Sequence, residues 1–297
     1  MINLNRRDTG TDAAAAENGD ARNFKRRVTS SLIMAPVGIL LGYIGGWLFV
    51  VACLVVAGII LWEWTVLVAR TQDMRILLPG TIALFIAALL SSASEPGAAF
   101  SIVAIGAVLA GGFITVWPRH FPASDPVVWS AAGVVYAGIA LVPSVTLRSD
   151  QDLGFAALLF LFATVWATDV FAYLTGRAMG GPLLWPDVSP KKTWAGAIGG
   201  LAGGVAAGTP VAYAVAGTEP VVAGVLALVL SIIAQGGDLF ESAVKRRFGA
   251  KDAGSLIPGH GGAMDRLDGY VAAALAALLI GALHRGTGAA AQGLLVW

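Results

Sequence analysis

Two polar stretches interrupt an otherwise apolar chain, residues 169–194 and 238–268, and they hold the side chains best suited to chemistry. In the second, Asp238, Glu241 and Lys245 recur at i, i+3 and i+7, so a helix would carry all three on one face. Lys251 and Asp252 follow, then Pro258, Gly259, His260, Gly261 and Gly262, then Asp265, Arg266 and Asp268 opening another apolar run. Glycines lack Cβ and let backbone N–H groups approach an anion, and a helix start just beyond them adds the positive end of a dipole. Gly259, His260, Gly261 and Gly262 are therefore candidates to hold a phosphate. Asp265 and Asp268 project from one side of the first turn. Paired carboxylates beside a phosphate cradle suit a hard divalent cation such as Mg²⁺, which completes its shell with water and phosphate oxygens. Each feature also has a structural reading. Asp238 could pair with Lys245 or Arg246 at a helix end, the aspartates could be N-caps, and the glycines could form ordinary turns. Together with Lys251, Arg246 and Asp238 the set favours a site.

The first stretch places Asp169, Tyr173 and Arg177 at i, i+4 and i+8, on one face of an apolar helix. Further on, Ser189, Lys191, Lys192 and Thr193 offer two hydroxyls and two ammonium groups held by a turn at Pro190, a combination that suits a lipid phosphate and equally suits a topology signal. The three histidines, His120, His260 and His284, show no zinc-binding spacing, and His260 taken alone reads as a hydrogen-bonded structural group. Glu63 stands between Trp62 and Trp64; a snorkelling interfacial carboxylate is favoured over one that closes the site from another helix.

These residues need elements to hold them, and the composition says which kind. The 297 residues are 57% hydrophobic and 12% charged, about half the charge of an average globular chain. A soluble enzyme, a disordered chain and a disulfide scaffold are excluded, the last because Cys53 is the single cysteine. A bilayer core needs about 20 apolar residues per helix. Nine such blocks are expected, near 30–43, 46–68, 76–92, 97–117, 127–147, 153–175, 195–216, 221–240 and 269–288, with the first two separated only by Gly42 to Gly46. The fold class is thus all-α, a polytopic integral membrane protein with about nine transmembrane helices. With the N-terminus inside, seventeen Lys and Arg fall on the cytoplasmic side and two, Arg148 and Arg285, on the other. Residues 1–27 are expected to form a disordered cytoplasmic tail whose Lys25, Arg26 and Arg27 fix topology beside anionic headgroups, and residues 28–297 the membrane domain.

The run from Ser242 to Arg246, then Lys251 to Gly254, then Leu256 to Asp268, closely resembles the signature of the phosphatidate cytidylyltransferases, or CDP-diacylglycerol synthases. Asp169, Ala172, Tyr173, Gly176 and Arg177, and the stretch Ser189 to Trp194, also look like that family's. The chain departs from the pattern at Ala263, where a larger aliphatic residue is usual, and at Ala195, where Glu is common. The resemblance implies transfer of a cytidylyl group from CTP to phosphatidate, with release of pyrophosphate, at the cytoplasmic face of the cell's inner membrane. It further implies that Asp238 and Asp265 hold Mg²⁺ with Asp268 in support and a second cation as an open alternative. Lys245, Arg246, Lys251 and Arg266 would neutralise the triphosphate, while Ser189, Lys191, Lys192 and Thr193 hold the lipid phosphate; Asp169, Tyr173, Arg177, Glu241 and Asp252 would support the site. Membrane lipids are expected partners and nucleic acid is not. Two rivals stay open: a CTP-dependent transferase or kinase acting on another lipid, and an ion-coupled transporter using Asp169 and Asp238, for which no internal repeat is visible. Gly199, Gly200, Gly203, Gly204 and Gly208 could bring a second copy close in a homodimer, but packing within one protomer is favoured.

Overall fold

The computed structural model describes residues 35–117, 121, 124–254 and 261–297. The expected tail, and Gly259 and His260, lie outside the described residues. Among those described, eight helices are long and apolar enough to cross a membrane: α2 (Gly46–Ala69), α3 (Met74–Ser92), α4 (Pro96–Val116), α5 (Pro126–Ser149), α6 (Gly154–Met179), α7 (Trp194–Ala216), α8 (Pro220–Arg247) and α9 (Met264–Arg285). A shorter apolar helix, α1 (Ala35–Ile44), precedes them. Ten residues rise about 15 Å, half of a bilayer core, so the described part of the first expected span does not cross by itself. The protein is a multi-pass membrane protein of the all-α class.

The break between α1 and α2 falls at Gly45 and Gly46, both with positive φ (65° and 56°), conformations that cost glycine little. Arg148 of α5 fastens it: Nε donates to Gly42 O at 2.5 Å and a terminal nitrogen donates to Tyr43 O at 3.2 Å. These are carbonyls that the end of a helix leaves unpaired. A Cβ at Gly45 would stand 2.1 Å from the guanidinium.

Two buried apolar clusters hold the bundle together. One gathers α2 to α5 around Trp64, which donates from Nε1 to Trp129 O at 2.9 Å. The other joins α6, α8 and α9 around Phe160 and Leu230, and takes in a terminal helix, α10 (Ala290–Leu295), that folds back after α9 with Leu294 and Leu295 fully buried. Polar side chains add to the packing: Thr168 of α6 pairs with Ser231 of α8, and Tyr270 of α9 with Ser144 of α5 at 3.1 Å.

Helix α7 packs on α6 through its glycines. A Cβ at Gly199 would lie 2.1 Å from Thr175, one at Gly203 2.4 Å from Phe171, and one at Gly208 2.3 Å from Thr164. At Gly196 and Gly200 the obstacles are backbone carbonyls of α6, at 2.8 and 2.9 Å. The small-residue stripe is thus used within the protomer.

The connections α2–α3, α4–α5, α6–α7 and α8–α9 meet at one end of the bundle. Arg70 donates to Phe248 O, Arg75 to Trp117 O, and Arg247 to Ser124 Oγ at 2.8 Å. Between α6 and α7 the chain forms an antiparallel hairpin, β1 (Leu183–Trp185) with β2 (Ser189–Thr193), in the register Leu183 to Thr193 and Trp185 to Ser189. A simple turn at Pro190 was expected there. The stretch pairs as strand because Pro190 can sit in a two-stranded ribbon whose outer edge needs no donor.

Candidate active site

Helices α8 and α9 are both longer on the polar end than the hydropathy blocks suggest, α8 running on to Arg247 and α9 starting at Met264. The extra turns carry the charged residues. Gly237 sets the distance between the two helices: a Cβ there would lie 2.7 Å from both Ala272 Cβ and Asp268 O. Without one, the backbones close up, and carboxylate oxygens of Asp238, Glu241 and Asp268 come within 4.8 Å of one another.

The three carboxylates differ in surroundings. Asp238 is partly exposed and ion-paired with Lys192 of β2. Glu241 is fully buried, with Lys245 Nζ 3.1 Å from Oε2, and neither of its oxygens accepts a well-formed hydrogen bond from a described residue. Asp268 accepts from Gly269 N at 2.8 Å. Oxygen donors this close, one of them buried and short of donors, are the chemistry of a hard-cation site. The donor set therefore fits a divalent cation.

Asp265, expected beside Asp238 and Asp268 as a metal ligand, is turned elsewhere. Its Oδ1 accepts from Lys245 Nζ at 2.6 Å, and Oδ2 accepts from Ala253 N at 2.9 Å and Gly262 N at 2.7 Å. It closes the α8–α9 connection on itself, one turn before Asp268. Gly261 makes this possible, because its φ is 83° and a Cβ would lie 2.7 Å from Asp265 Oδ2. Lys245 thus touches both Glu241 and Asp265 rather than open solvent.

Of the other expected residues, Asp169 of α6 lies within electrostatic reach of Asp268, Asp238, Lys192 and Arg266. Tyr173 OH accepts from Arg177 at 2.9 Å on the exposed face of the same helix. Lys191 is exposed on the hairpin and Ser189 half-buried beside it. Thr193, expected to meet a phosphate, is buried and caps α7, its Oγ1 accepting from Gly196 N at 3.1 Å. Arg246 donates to Ala250 O at 3.0 Å, and Lys251 and Asp252 are exposed on the connection after α8. Arg266 is exposed in the first turn of α9.

Glu63 is the clearest departure. A snorkelling carboxylate at the interface was favoured; the side chain is instead fully buried, and its two oxygens accept from Ala263 N at 2.9 Å and Met264 N at 2.8 Å. The signal was its place between two tryptophans in an apolar helix, but the partners lie 200 residues away.

Comparison with known proteins gives the chain a family. The pattern of the Cytidylyltransferase family matches residues 25–284. A protein of Brucella abortus biovar 1 (strain 9-941) named phosphatidate cytidylyltransferase is 42% identical over 261 residues, covering 88% of this chain and 94% of that protein. One of the same name from Bacillus subtilis (strain 168) is 28% identical over 264 residues, 84% and 94% of the two chains. Another, from Staphylococcus aureus (strain COL), is 43% identical over 140 residues, 46% of this chain and 52% of its own. With a match that spans the helical bundle and both polar stretches, the chain belongs to the cytidylyltransferase family.

Proposed function

We propose that the protein joins CTP to phosphatidate, forming CDP-diacylglycerol and pyrophosphate. A phosphate oxygen of the lipid forms a bond to the α-phosphorus of CTP as the bond from that phosphorus to the bridging oxygen breaks, and pyrophosphate leaves with the electron pair. Such transfers depend on positioning and charge neutralisation more than on covalent help from the protein. The observation that carries the reading is the meeting of Asp238, Glu241 and Asp268 from two apolar helices, beside Lys192 of the hairpin.

Asp238, Glu241 and Asp268 would hold Mg²⁺, which when bound neutralises nucleotide phosphates and stabilises entering and leaving oxygens. Asp265 and Lys245 shape the α8–α9 connection, and Arg246, Lys251 and Arg266 would add positive charge around the triphosphate. Ser189, Lys191 and Lys192 would hold the lipid phosphate at the end of the bundle, while Thr193 fixes the base of their hairpin through its cap. That end would face the cytoplasm at the inner membrane. Its support is the charge bias: Arg70, Arg75, Arg177, Lys191, Lys192, Lys245, Arg246, Arg247, Lys251 and Arg266 gather there, against Arg148 and Arg285 at the other end, among the described residues.

The test is pyrophosphate release by the purified protein in detergent, with phosphatidate, CTP and Mg²⁺ each withheld in turn. Release should require all three and yield a cytidylylated lipid. Release with another lipid phosphate but not with phosphatidate would reassign the acceptor, and no release under any combination would remove the enzymatic reading. Since a micelle has no second compartment, turnover there also disposes of a transporter.

A further inference from the structure

We infer that Glu63 is a positioning residue for the reaction, a cap supplied by α2 that sets where the acidic start of α9 stands. The inference rests on the function proposed above. Helix α9 opens at Ala263 with no side-chain cap of its own, so the first N–H groups need an acceptor from elsewhere. Glu63 provides two, one oxygen each for Ala263 N and Met264 N. A buried carboxylate bonded to helix N–H groups also opposes the positive end of the helix dipole, the most favourable place for such a charge.

The connection between α8 and α9 is moulded to this carboxylate on both sides. A Cβ at Gly254 would stand 2.8 Å from Glu63 Oε1, and one at Gly262 2.5 Å from Oε2. Both glycines have negative φ or ordinary backbone, so it is space, not conformation, that excludes a side chain there. Asp265 follows Met264 directly and Asp268 lies one turn further on. The place of both along the α8 surface is therefore set by a residue of α2, which itself touches none of the reacting groups.

The test uses the full-length protein in detergent with Glu63→Gln, whose amide keeps the shape but turns one acceptor into a donor, and with Gly254→Ala, which pushes on the same carboxylate without altering it. The second variant keeps the test open should the first fail to fold. Hydrogen–deuterium exchange of the 261–270 segment should quicken about tenfold in either variant, while segments of the α2–α5 core stay as in the wild type. In the pyrophosphate assay kcat should fall about 10- to 100-fold, the range for residues that orient metal ligands. The Mg²⁺ needed for half-maximal rate should rise several-fold and KM for phosphatidate should hold steady. Unchanged exchange in 261–270 would overturn the inference, as would activity lost with no change in Mg²⁺ requirement. A wild-type protein that releases no pyrophosphate would strike the proposed function alone, because exchange still reports on the cap.

Discussion

Lys245 Nζ lies 2.6 Å from Asp265 Oδ1, a bond from the last turns of α8 to the first turn of α9 across the connection between them. The same ammonium is 3.1 Å from Glu241 Oε2, so one lysine separates two carboxylates that would otherwise repel. Both carboxylates are largely removed from solvent, where removing one partner of an ion pair leaves an uncompensated charge. Lys245→Met should lower stability by about 3 kcal/mol and abolish turnover. Thermal unfolding in micelles followed by tryptophan fluorescence reads the first effect, and pyrophosphate release the second.

Glu241 and Asp265 are assigned different work by their partners, and metal dependence should tell them apart. Glu241→Gln takes a donor from the cation cluster and should cost about 100-fold or more in kcat, with partial recovery at high Mg²⁺. Asp265→Asn loosens the connection held by Ala253 N, Gly262 N and Lys245. Its loss of rate should not recover with added cation. A titration of rate against Mg²⁺ for the two variants decides the matter; identical curves would place Asp265 among the ligands after all.

Gly237 and Gly236 are adjacent, yet only the first faces α9. Gly237→Ala would drive a methyl group into Ala272 and the carbonyl of Asp268, and should destabilise the protein by about 1–3 kcal/mol while raising the Mg²⁺ requirement. Gly236→Ala meets nothing within 4 Å and should match or slightly exceed the wild type in stability. The pair controls for helix propensity, since both substitutions gain the same amount.

Lys192 pairs with Asp238 and is offered by a hairpin at the polar end. Lys192→Ala should raise KM for phosphatidate more than KM for CTP. Steady-state kinetics in mixed micelles, varying each substrate, checks the split; a larger effect on CTP would move Lys192 to the nucleotide.

The residues that the sequence exposes most plainly are those whose chemistry is local. Hydropathy reads α2 to α9 because each needs a run of apolar residues, and helical spacing places Asp238 and Glu241 on one face of α8. What it misses depends on partners far along the chain. Glu63 looks interfacial until Ala263 and Met264 are brought to it, and Asp265 looks like a ligand until Lys245 and two backbone N–H groups take its oxygens. The hairpin escapes because five residues with a proline carry no clear alternation. The ends of α8 and α9 leave the apolar run, so hydropathy stops short of them, and it is the spacing of Asp238, Glu241 and Lys245, and of Asp265 and Asp268, that carries the two helices on.

The seam between α6 and α7 is made where glycines of α7 meet carbonyls, threonine hydroxyls and a phenyl ring of α6, with almost no rotamers on the α7 side. Packing that close leaves the two helices little room to slide past one another. The hairpin springs from the two helices so joined, and their packing holds Lys192 in one place, within electrostatic reach of Asp169 of α6.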